Sequence, residues 1–315
     1  MRIAQKLTYL RKTIDERVLP LISADYVFWG LPYYDNPGDT LIWEGTIEML
    51  KKCPHKCLGT FGCGRCRPVP IEKKIVILVA GGGFFGDLWR SGWENIMDTI
   101  SCYPDNPIII LPQSICYEKE DALVHDAEIF KTLKNLTICV RDRKSLQFAI
   151  RQFGNDVRLV PDMAFYADIG RFKRFERPSN GRRLYIVRHD KERSENAEEI
   201  TGEDVDCGDW PIMTDNRPRS LKRISKIVKF FKKHVALSLG ERIKCFLYRC
   251  FAKDIALKGA VEFISAYDEV YSTRLHGAIL AAMLEKNVFV LDNNYGKLSG
   301  CFNEWLNDCD SCTVL

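Results

Sequence analysis

Arg274 and His276 stand two positions apart in the segment Arg274-Leu275-His276-Gly277, between a short predicted strand and an apolar predicted helix. An arginine can hold an anionic group through two parallel hydrogen bonds, and a histidine exchanges a proton near neutral pH. Gly277 adds no side-chain bulk beside them. The pair suits acid catalysis on an anionic substrate. A lone histidine is more often structural, but this one opens a helix at the edge of a predicted cleft.

A second basic segment, Arg141-Asp142-Arg143-Lys144-Ser145, directly follows a predicted strand. A basic residue at the end of a strand, beside a helix N-terminus, is typical of an anion site. The alternative is a salt-bridged helix start with Asp142 as its cap. The next predicted strand ends in the same way, with Pro161-Asp162. Its position at the end of a strand makes Asp162 a further candidate site residue.

The loop Asn36-Pro37-Gly38-Asp39 connects the first predicted strand to its helix. Gly38 permits a tight turn, and we expect Asp39 to cap the helix. Ligands of open α/β sheets bind at the carboxyl ends of strands. The loop is therefore either a capped helix start and no more, or part of a binding site.

The run Gly81–Gly86 formally matches the dinucleotide fingerprint G-x-G-x-x-G. It does not follow the first strand, and the next strand ends in Gln113 rather than in an acid that could hold a ribose. We interpret Gly82, Gly83 and Phe84 as a glycine turn whose backbone can approach a ligand closely. Tight packing of strand against helix is an equal alternative.

Strands and helices must alternate along the chain to position these segments. Continuous aliphatic runs predict strands that are buried on both faces, and helical periodicity separates them. This order indicates an α/β fold with parallel sheets. We expect two Rossmann-like domains facing a cleft, residues 1–166 and 167–315, with a linker at 167–183. Strands are predicted at 26–29, 75–80, 107–111 (stopped by Pro112), 137–140, 157–160, 183–187, 204–207, 269–271 and 288–291.

Composition limits the class of protein. The 315 residues are 46% hydrophobic and 28% charged, which provides for a core and excludes a disordered chain. The 13 cysteines are an odd number and mostly stand singly in apolar runs, as in a reducing cytoplasm. Residues 1–20 predict a charged amphipathic helix rather than a signal peptide. We expect a cytoplasmic protein, soluble or peripheral on a membrane.

Four cysteines, Cys53, Cys57, Cys63 and Cys66, cluster around His55 in a segment rich in glycine and proline. Four thiols at this density could hold a structural zinc ion. Their spacing matches no common zinc module, so thiols without a metal are the other interpretation.

Charge is concentrated in one segment. The net charge of the chain is +4, but residues 217–253 contain twelve lysines and arginines against Glu241 alone, so the segment carries +11 and the remainder −7. Residues 221–239 predict a basic amphipathic helix, with Ile224, Ile227, Val228, Phe231 and Val235 at helical spacing. Such a helix is typical of a membrane surface. The alternative is the solvated face of an ordinary helix, and no motif indicates nucleic-acid binding.

Taken together and in order, these segments resemble the polysaccharide pyruvyl transferase family. The resemblance covers nearly the whole chain; R-x-H-G is its most specific part and the glycine run its least. The cysteine cluster is not a feature of the family. The matching segments are Asn36-x-Gly38-Asp39, Val79–Gly86, Arg141–Ser145, Pro161-Asp162, Arg274–Gly277 and Tyr295-Gly296-Lys297.

The resemblance implies a GT-B-like fold and transfer of the enolpyruvyl unit of phosphoenolpyruvate to a sugar, giving a pyruvate ketal and phosphate. It implies His276 as general acid, Arg141 and Arg274 as anion ligands, and Asp39 or Asp162 assisting attack by the sugar. Lys297 would neutralise the leaving phosphate. Neither a redox cofactor nor a metal is required. The remaining substrate-binding candidates are Asn36, Gly38, Gly82, Gly83, Phe84 and Gly277.

The implied acceptor belongs to a bacterial surface polysaccharide precursor, in a lipid-linked form. The main alternative is a GT-B glycosyltransferase using a nucleotide sugar, which would share the cleft and its cations. A non-catalytic membrane-associated scaffold is a second, and a nicotinamide oxidoreductase a third.

Overall fold

The computed structural model describes residues 1–63, 69–192, 200–214, 218–234, 237–292 and 296–315. It shows an α/β fold with two parallel sheets. The first sheet has the order β2-β1-β3-β5-β6-β7, and β4 pairs with β5 beyond the end of β3. Its strands are β1 (Tyr26–Leu31), β2 (Cys57–Gly62), β3 (Val76–Val79), β4 (Gly82–Gly86), β5 (Pro107–Cys116), β6 (Asn135–Val140) and β7 (Asp156–Leu159).

Helices connect these strands, as parallel pairing requires. The helix α5 shows how local sequence sets the ends: the Asp142 carboxylate accepts a hydrogen bond from the Ser145 amide at 2.8 Å, and Gly154 ends the helix in the left-handed region at φ 64°. The helices of this half are α1 (Ile3–Val18), α2 (Pro37–Leu50), α3 (Arg90–Ile100), α4 (Glu120–Thr132) and α5 (Arg143–Phe153).

The second sheet has the order β12-β11-β10-β8-β9, and its pairs are parallel. A π-helical turn, Tyr248–Ala252, joins two of its helices. The strands are β8 (Arg183–Ile186), β9 (Val205–Gly208), β10 (Glu269–Ser272), β11 (Asn287–Val290) and β12 (Cys312–Val314). The helices are α6 (Arg219–His234), α7 (Leu237–Leu247), α8 (Lys253–Ser265), α9 (Leu275–Met283) and α10 (Lys297–Trp305).

One hydrophobic core extends over a face of both sheets. It includes Leu78 of β3 and Val270 of β10, both without exposed surface, together with Ile14 of α1 and Leu257 of α8. A second core fills the other face of the first sheet under α3, α4 and α5. Each large aliphatic side chain buried here contributes about 1.5–3 kcal/mol relative to exposure. The shared core therefore fixes the carboxyl edges of the two sheets relative to each other.

The structure corrects three expectations about strands. The strand β5 continues through Pro112 to Cys116, because an irregularity between Ile110 and Gln113 accommodates the missing N–H of proline. The cysteine segment contains a strand, β2, on the edge of the first sheet beside β1. The glycine run is a strand as well: β4 pairs with β5, where a Cβ at Gly86 would lie 1.8 Å from the carbonyl oxygen of Cys116.

The connection between β7 and β8 contains the predicted linker and the predicted domain boundary at 166/167. Its Ala167 and Phe172 are buried against the core, and Arg171 pairs with Glu44 of α2 at 2.7 Å. Helices α3 and α10 and the strand β12 were not among the predicted elements. No helix in the described ranges is long and apolar enough to traverse a bilayer.

Candidate active site

A pocket of about 360 Å³ opens at the carboxyl ends of strands from both sheets. The loops after β1 and β4 form one side, and the segments after β8, β9, β10 and β11 form the other. Eight of the twelve sequence-predicted residues line it: Asn36, Gly38, Asp39, Gly83, Phe84, Arg274, His276 and Lys297.

The loop after β1 places a carboxylate in the pocket. The Asn36 side chain accepts a hydrogen bond from the Gly38 amide at 2.9 Å and is the N-cap of α2, so the expectation that Asp39 caps this helix is wrong. Asp39 instead accepts hydrogen bonds from Asn36 Nδ2 at 2.7 Å and from the Tyr34 hydroxyl at 2.8 Å. These two donors orient the Asp39 carboxylate at the pocket wall.

His276 lies against the start of α2. A Cβ at Gly38 would lie 2.7 Å from Nδ1 of His276, so only glycine allows this approach. His276 is in the first turn of α9, and Lys297 is the first residue of α10. The N-termini of α2, α9 and α10 therefore meet at the pocket. The dipoles of these helices favour a bound anion.

A buried ion pair lies behind His276. Asp162 Oδ2 is 2.5 Å from Arg141 Nη1 and 3.4 Å from His276 Nε2, and that same arginine nitrogen is 3.5 Å from Nε2. Burial alone would raise the pKa of Asp162, but Arg141 and His276 hold it well below its usual range. Arg141 and Asp162 do not line the pocket. They contact the histidine from the protein side.

Arg141 is fully buried and one of its nitrogens has no partner. Its Nε donates to Ser114 Oγ at 2.9 Å, and Trp305 Nε1 donates to its carbonyl oxygen at 2.8 Å. Within the described residues, Nη2 makes no hydrogen bond. A Cβ at Gly83 would lie 3.2 Å from this nitrogen. An unpartnered guanidinium N–H therefore lies close behind the Gly83 wall of the pocket.

The Arg274 guanidinium forms ion pairs with two aspartates. It forms a bidentate pair with Asp209, with Nη2 at 2.5 Å from Oδ2, and the same nitrogen lies 3.3 Å from Asp190. The backbone amide of Arg274 donates to Ser272 Oγ at 3.0 Å. A Cβ at Gly277 would lie 2.9 Å from that hydroxyl, so Gly277 serves the packing of α9 against β10 rather than the pocket lining.

Lys297 occupies the space that Gly83 leaves open. A Cβ at Gly83 would lie 2.2 Å from Nζ, which is 3.2 Å from Glu192 Oε2. Burial lowers the pKa of Lys297; Glu192 opposes this, while Arg141 and Arg188 lower it further. The ammonium is thus incompletely compensated, and an incoming anion would stabilise its charged form.

The sequence analysis missed four charged residues of the pocket: Asp35, which follows β1, and Arg188, Asp190 and Glu192, which follow β8. Arg188 donates to Asp190 at 2.8 Å and 3.0 Å and also pairs with Glu192. Glu192 also accepts from Trp89 Nε1 at 3.0 Å. Burial would raise the pKa of Glu192, but Lys297 and Arg188 lower it well below its usual range. The alternation of charges at the end of a predicted strand was the signal available.

Gly82 lies beside the pocket, whereas the nearby Phe84 lines it. Gly82 has φ 148° and pairs with Gln113, which sets the course of β4 before Gly83 reaches the pocket. Phe84 lines the pocket and its ring lies 5.9 Å from that of Trp93. Tyr295 falls outside the described residues.

Comparisons with known proteins identify the family. A sequence model described as polysaccharide pyruvyl transferase matches residues 36–295. The chain belongs to this family. The matched range contains every candidate residue except Lys297.

Relatives of this transferase agree with that assignment. "Putative pyruvyl transferase EpsO" of Bacillus subtilis is 30% identical over 99% of this chain and 93% of its own length. Pyruvyl transferase 1 of Schizosaccharomyces pombe is 25% identical over 89% of this chain and 69% of its own. A General stress protein 30 of Bacillus subtilis is 26% identical, over 88% and 77%. The protein is a polysaccharide pyruvyl transferase, and a glycosyltransferase is not favoured.

A solved structure supports the fold. A crystal structure of an uncharacterised Klebsiella pneumoniae protein, KP1_0663, has a TM-score of 0.65 with this chain at 16% identity, covering 97% of this chain and 98% of that one. At this identity the likeness concerns the fold alone.

The cysteine cluster of this family member lies at β2, on the edge of the first sheet. Cys63 lines the pocket, and Cys66 falls outside the described residues. Within the described ranges no three histidine, cysteine or acidic side chains are grouped so as to hold a metal ion. Metal analysis of the purified protein tests the zinc interpretation.

Proposed function

We propose that the enzyme transfers the enolpyruvyl unit of phosphoenolpyruvate to two hydroxyls of one sugar, forming a pyruvate ketal and releasing phosphate. The observation that carries this proposal is a histidine at the meeting point of three helix N-termini, beside three pocket-lining cations. Those cations are Arg188, Arg274 and Lys297. The two sheets would act as Rossmann-like domains of a GT-B-like enzyme, with the reaction in the cleft between them.

The donor needs fixed cations because it carries a phosphate and a carboxylate. Guanidinium groups bind both kinds of anion in a bidentate way. Arg274 and Arg188 are oriented for this by Asp209 and Asp190. Lys297, with its lowered pKa, is suited to the phosphate, whose charge increases as it leaves. The unpartnered Nη2 of Arg141 adds positive potential behind Gly83.

The reaction balances without an oxidant or reductant. His276 gives a proton to carbon 3 of the donor, whose double-bond electrons form the new C–H bond, and carbon 2 becomes electrophilic. One sugar hydroxyl adds to carbon 2 and loses its proton to Asp39. Phosphate leaves with the electrons of the C–O bond, and the second hydroxyl adds in its place. Asp39 passes the first hydroxyl proton to the departing phosphate, and the proton of the second hydroxyl restores His276.

Asp162 and Arg141 act through His276 in this proposal. Asp162 is within 3.4 Å of Nε2 but is buried behind the ring, where a sugar hydroxyl has no access. We therefore assign sugar activation to Asp39 and the positioning of His276 to Asp162 and Arg141. A carboxylate that orients a catalytic imidazole is a recurrent arrangement in enzymes.

The acceptor side is formed by the loops of the first sheet. Asn36 and Asp39 offer amide and carboxylate groups for hydroxyls, and Phe84 and Trp89 offer apolar rings. We propose a sugar of a bacterial surface polysaccharide precursor as the acceptor, in its lipid-linked form.

The test is incubation with phosphoenolpyruvate and a panel of lipid-linked and nucleotide-linked sugars. Mass spectrometry should detect a gain of one pyruvyl ketal, together with one phosphate released per product. His276→Ala, with the same thermal unfolding as wild type, is the control. Turnover with UDP- or GDP-sugars as donors, and none with phosphoenolpyruvate, would contradict the proposal.

A further inference from the structure

The helix α6 uses its two faces differently. Leu221, Ile224 and Val228 are buried and pack into the shared core, so part of the predicted apolar stripe is not available to a membrane. Val235 and Arg217 lie outside the described residues. The opposite face is exposed and carries a dense row of cations. These exposed cations are Arg219, Lys222, Arg223, Lys226 and Lys229.

Large apolar side chains are exposed beside these cations on α6, and others are exposed on α7, which packs against α6, and on the π-helical turn that follows it. Phe230 is 58% exposed and Ile227, three positions before it, is 42% exposed. Phe246 of α7 and Phe251 of the π-helical turn are 54% and 50% exposed, with ring centroids 6.3 Å apart. Exposed apolar groups that occur together usually mark an interaction surface. We call residues 219–230 and 242–251 the basic–aromatic surface.

The surface is strongly cationic. Residues 219–230 and 242–251 contain eight lysines and arginines and no aspartate or glutamate. Lys253 is buried and pairs with Glu44 of α2, so it belongs to the core side. Cations with exposed phenylalanines are the combination by which amphipathic segments bind the interface of an anionic bilayer. The sequence contains no recognised nucleic-acid-binding motif, so we assign the exposed phenylalanines and Ile227 to an acyl boundary rather than to stacked bases.

The surface is close to the active site. Tyr248 opens the π-helical turn and its hydroxyl lies 3.3 Å from Asp35, which lines the pocket. Met213, 43% exposed, also lines the pocket and precedes α6 in the chain. A ligand bound to the basic–aromatic surface would therefore lie close to the pocket.

We infer that the basic–aromatic surface docks this enzyme on an anionic phospholipid bilayer, with the phenylalanines at the acyl boundary and the cations among the headgroups. Docking in this way would bring the pocket to a lipid-linked sugar, a consequence that rests on the proposed function. The binding itself does not depend on that function.

The test is co-sedimentation of the full chain with vesicles of phosphatidylcholine alone and of equal parts phosphatidylcholine and phosphatidylglycerol. We expect binding to the anionic vesicles only, weakening as salt rises. Arg223→Gln with Lys226→Gln should weaken partitioning about 25-fold, at about fivefold for each cation. Phe246→Ser with Phe251→Ser should weaken it about tenfold or more.

Matched controls separate the surface from general properties of the chain. Lys12→Gln with Lys131→Gln removes the same charge elsewhere, and Val124→Ser with Ile150→Ser removes equally exposed apolar groups from α4 and α5. Both should bind as wild type. Equal binding to both vesicle types, equal loss in the controls, or displacement from vesicles by single-stranded RNA would overturn the inference. The assay uses no donor or acceptor, so loss of ketal formation with intact binding would count against the proposed function alone.

Discussion

The two walls of the pocket differ in charge type. Among the described lining residues, the wall from the first sheet contributes Asp35 and Asp39 and no cation, together with Tyr34, Phe84 and Trp89. The wall from the second sheet contributes His276 and the cations Arg188, Arg274 and Lys297 with their acids. The first wall suits a neutral, hydroxyl-rich molecule, and the second suits a small anion.

The walls also differ in how their charges are held. Asp39 is oriented by the neutral donors Asn36 and Tyr34. Each cation of the second wall is oriented by a carboxylate. The hydrogen bonds from Asn36 and Tyr34 orient the Asp39 carboxylate, whereas carboxylates hold the cations of the second wall in place before a ligand arrives. From this difference we predict that each wall binds one of the two proposed substrates, so that mutations in the two walls should separate the two Michaelis constants.

Substitution of His276 by Ala should have the largest effect on the rate. In the proposed reaction, neither sugar hydroxyl can add until His276 has protonated carbon 3 of the donor. We expect kcat to fall by about 10²–10⁴-fold, the usual contribution of a general acid. Steady-state phosphate release measures this, with circular dichroism and thermal unfolding as checks on folding. Near-normal turnover would remove His276 from the mechanism.

Asp39→Asn probes the first wall. The amide keeps the size of the side chain and its contact with the Tyr34 hydroxyl but cannot take a proton from the sugar. We expect kcat to fall by about 10²-fold, with the Michaelis constant for phosphoenolpyruvate unchanged. A change confined to the donor's Michaelis constant would contradict the division between the walls.

Arg274→Gln probes the second wall. Hydrogen bonds to charged groups contribute about 1.5–3 kcal/mol, so the donor's Michaelis constant should rise about tenfold to a hundredfold. That for the acceptor should stay near the wild-type value. Arg274→Lys is the companion variant, because it keeps the positive charge but loses the bidentate hydrogen bonding. Its Michaelis constant for the donor should lie between those of the wild type and Arg274→Gln. Equal increases for donor and acceptor would mean that the walls are not specialised.

Gly83→Ala places a methyl group between the walls, 2.2 Å from Nζ of Lys297. The lysine must move from its contact with Glu192, and we expect a several-fold rise in the donor's Michaelis constant. Gly259→Ala in α8, where the added Cβ meets nothing within 4 Å, is the control and should be neutral or stabilising by about 0.5–1 kcal/mol. Equal kinetics for the two variants would show that the space at Gly83 is not used.

Glu192→Gln should lower stability at neutral pH and weaken the dependence of stability on pH in acid. The folded pKa of Glu192 lies well below its unfolded value of about 4.3. The carboxylate therefore contributes stability that is fully present above that pH and is lost as the pH falls towards the folded pKa. Urea unfolding at several pH values should show that the free energy of unfolding falls less steeply below pH ~4 in the variant. The difference in slope should be at most about 1.4 kcal/mol per pH unit, which corresponds to one proton. Identical slopes would contradict this assignment.

The sequence by itself determined the alternation of strands and helices, the family and eight of the residues that line the pocket. Aliphatic runs predicted β1, β3, β6 and β8 to within a few residues, because buried strands need continuous apolar surface. Segments that follow β1, β3, β10 and β11 contained the eight predicted residues that line the pocket. The family resemblance, drawn from motifs in order, is confirmed by the match over residues 36–295.

Only the tertiary structure decided which partner each charge has. Arg141 meets His276 from 135 positions away, and Arg274 meets Asp209 from 65 positions away. Such contacts depend on how the two sheets pack through their shared core, which no local pattern encodes. The same packing buried Arg141 behind His276 and added Arg188 to the pocket. It also turned the apolar stripe of α6 inward while leaving Phe230 exposed among the cations, because that stripe is in contact with the core.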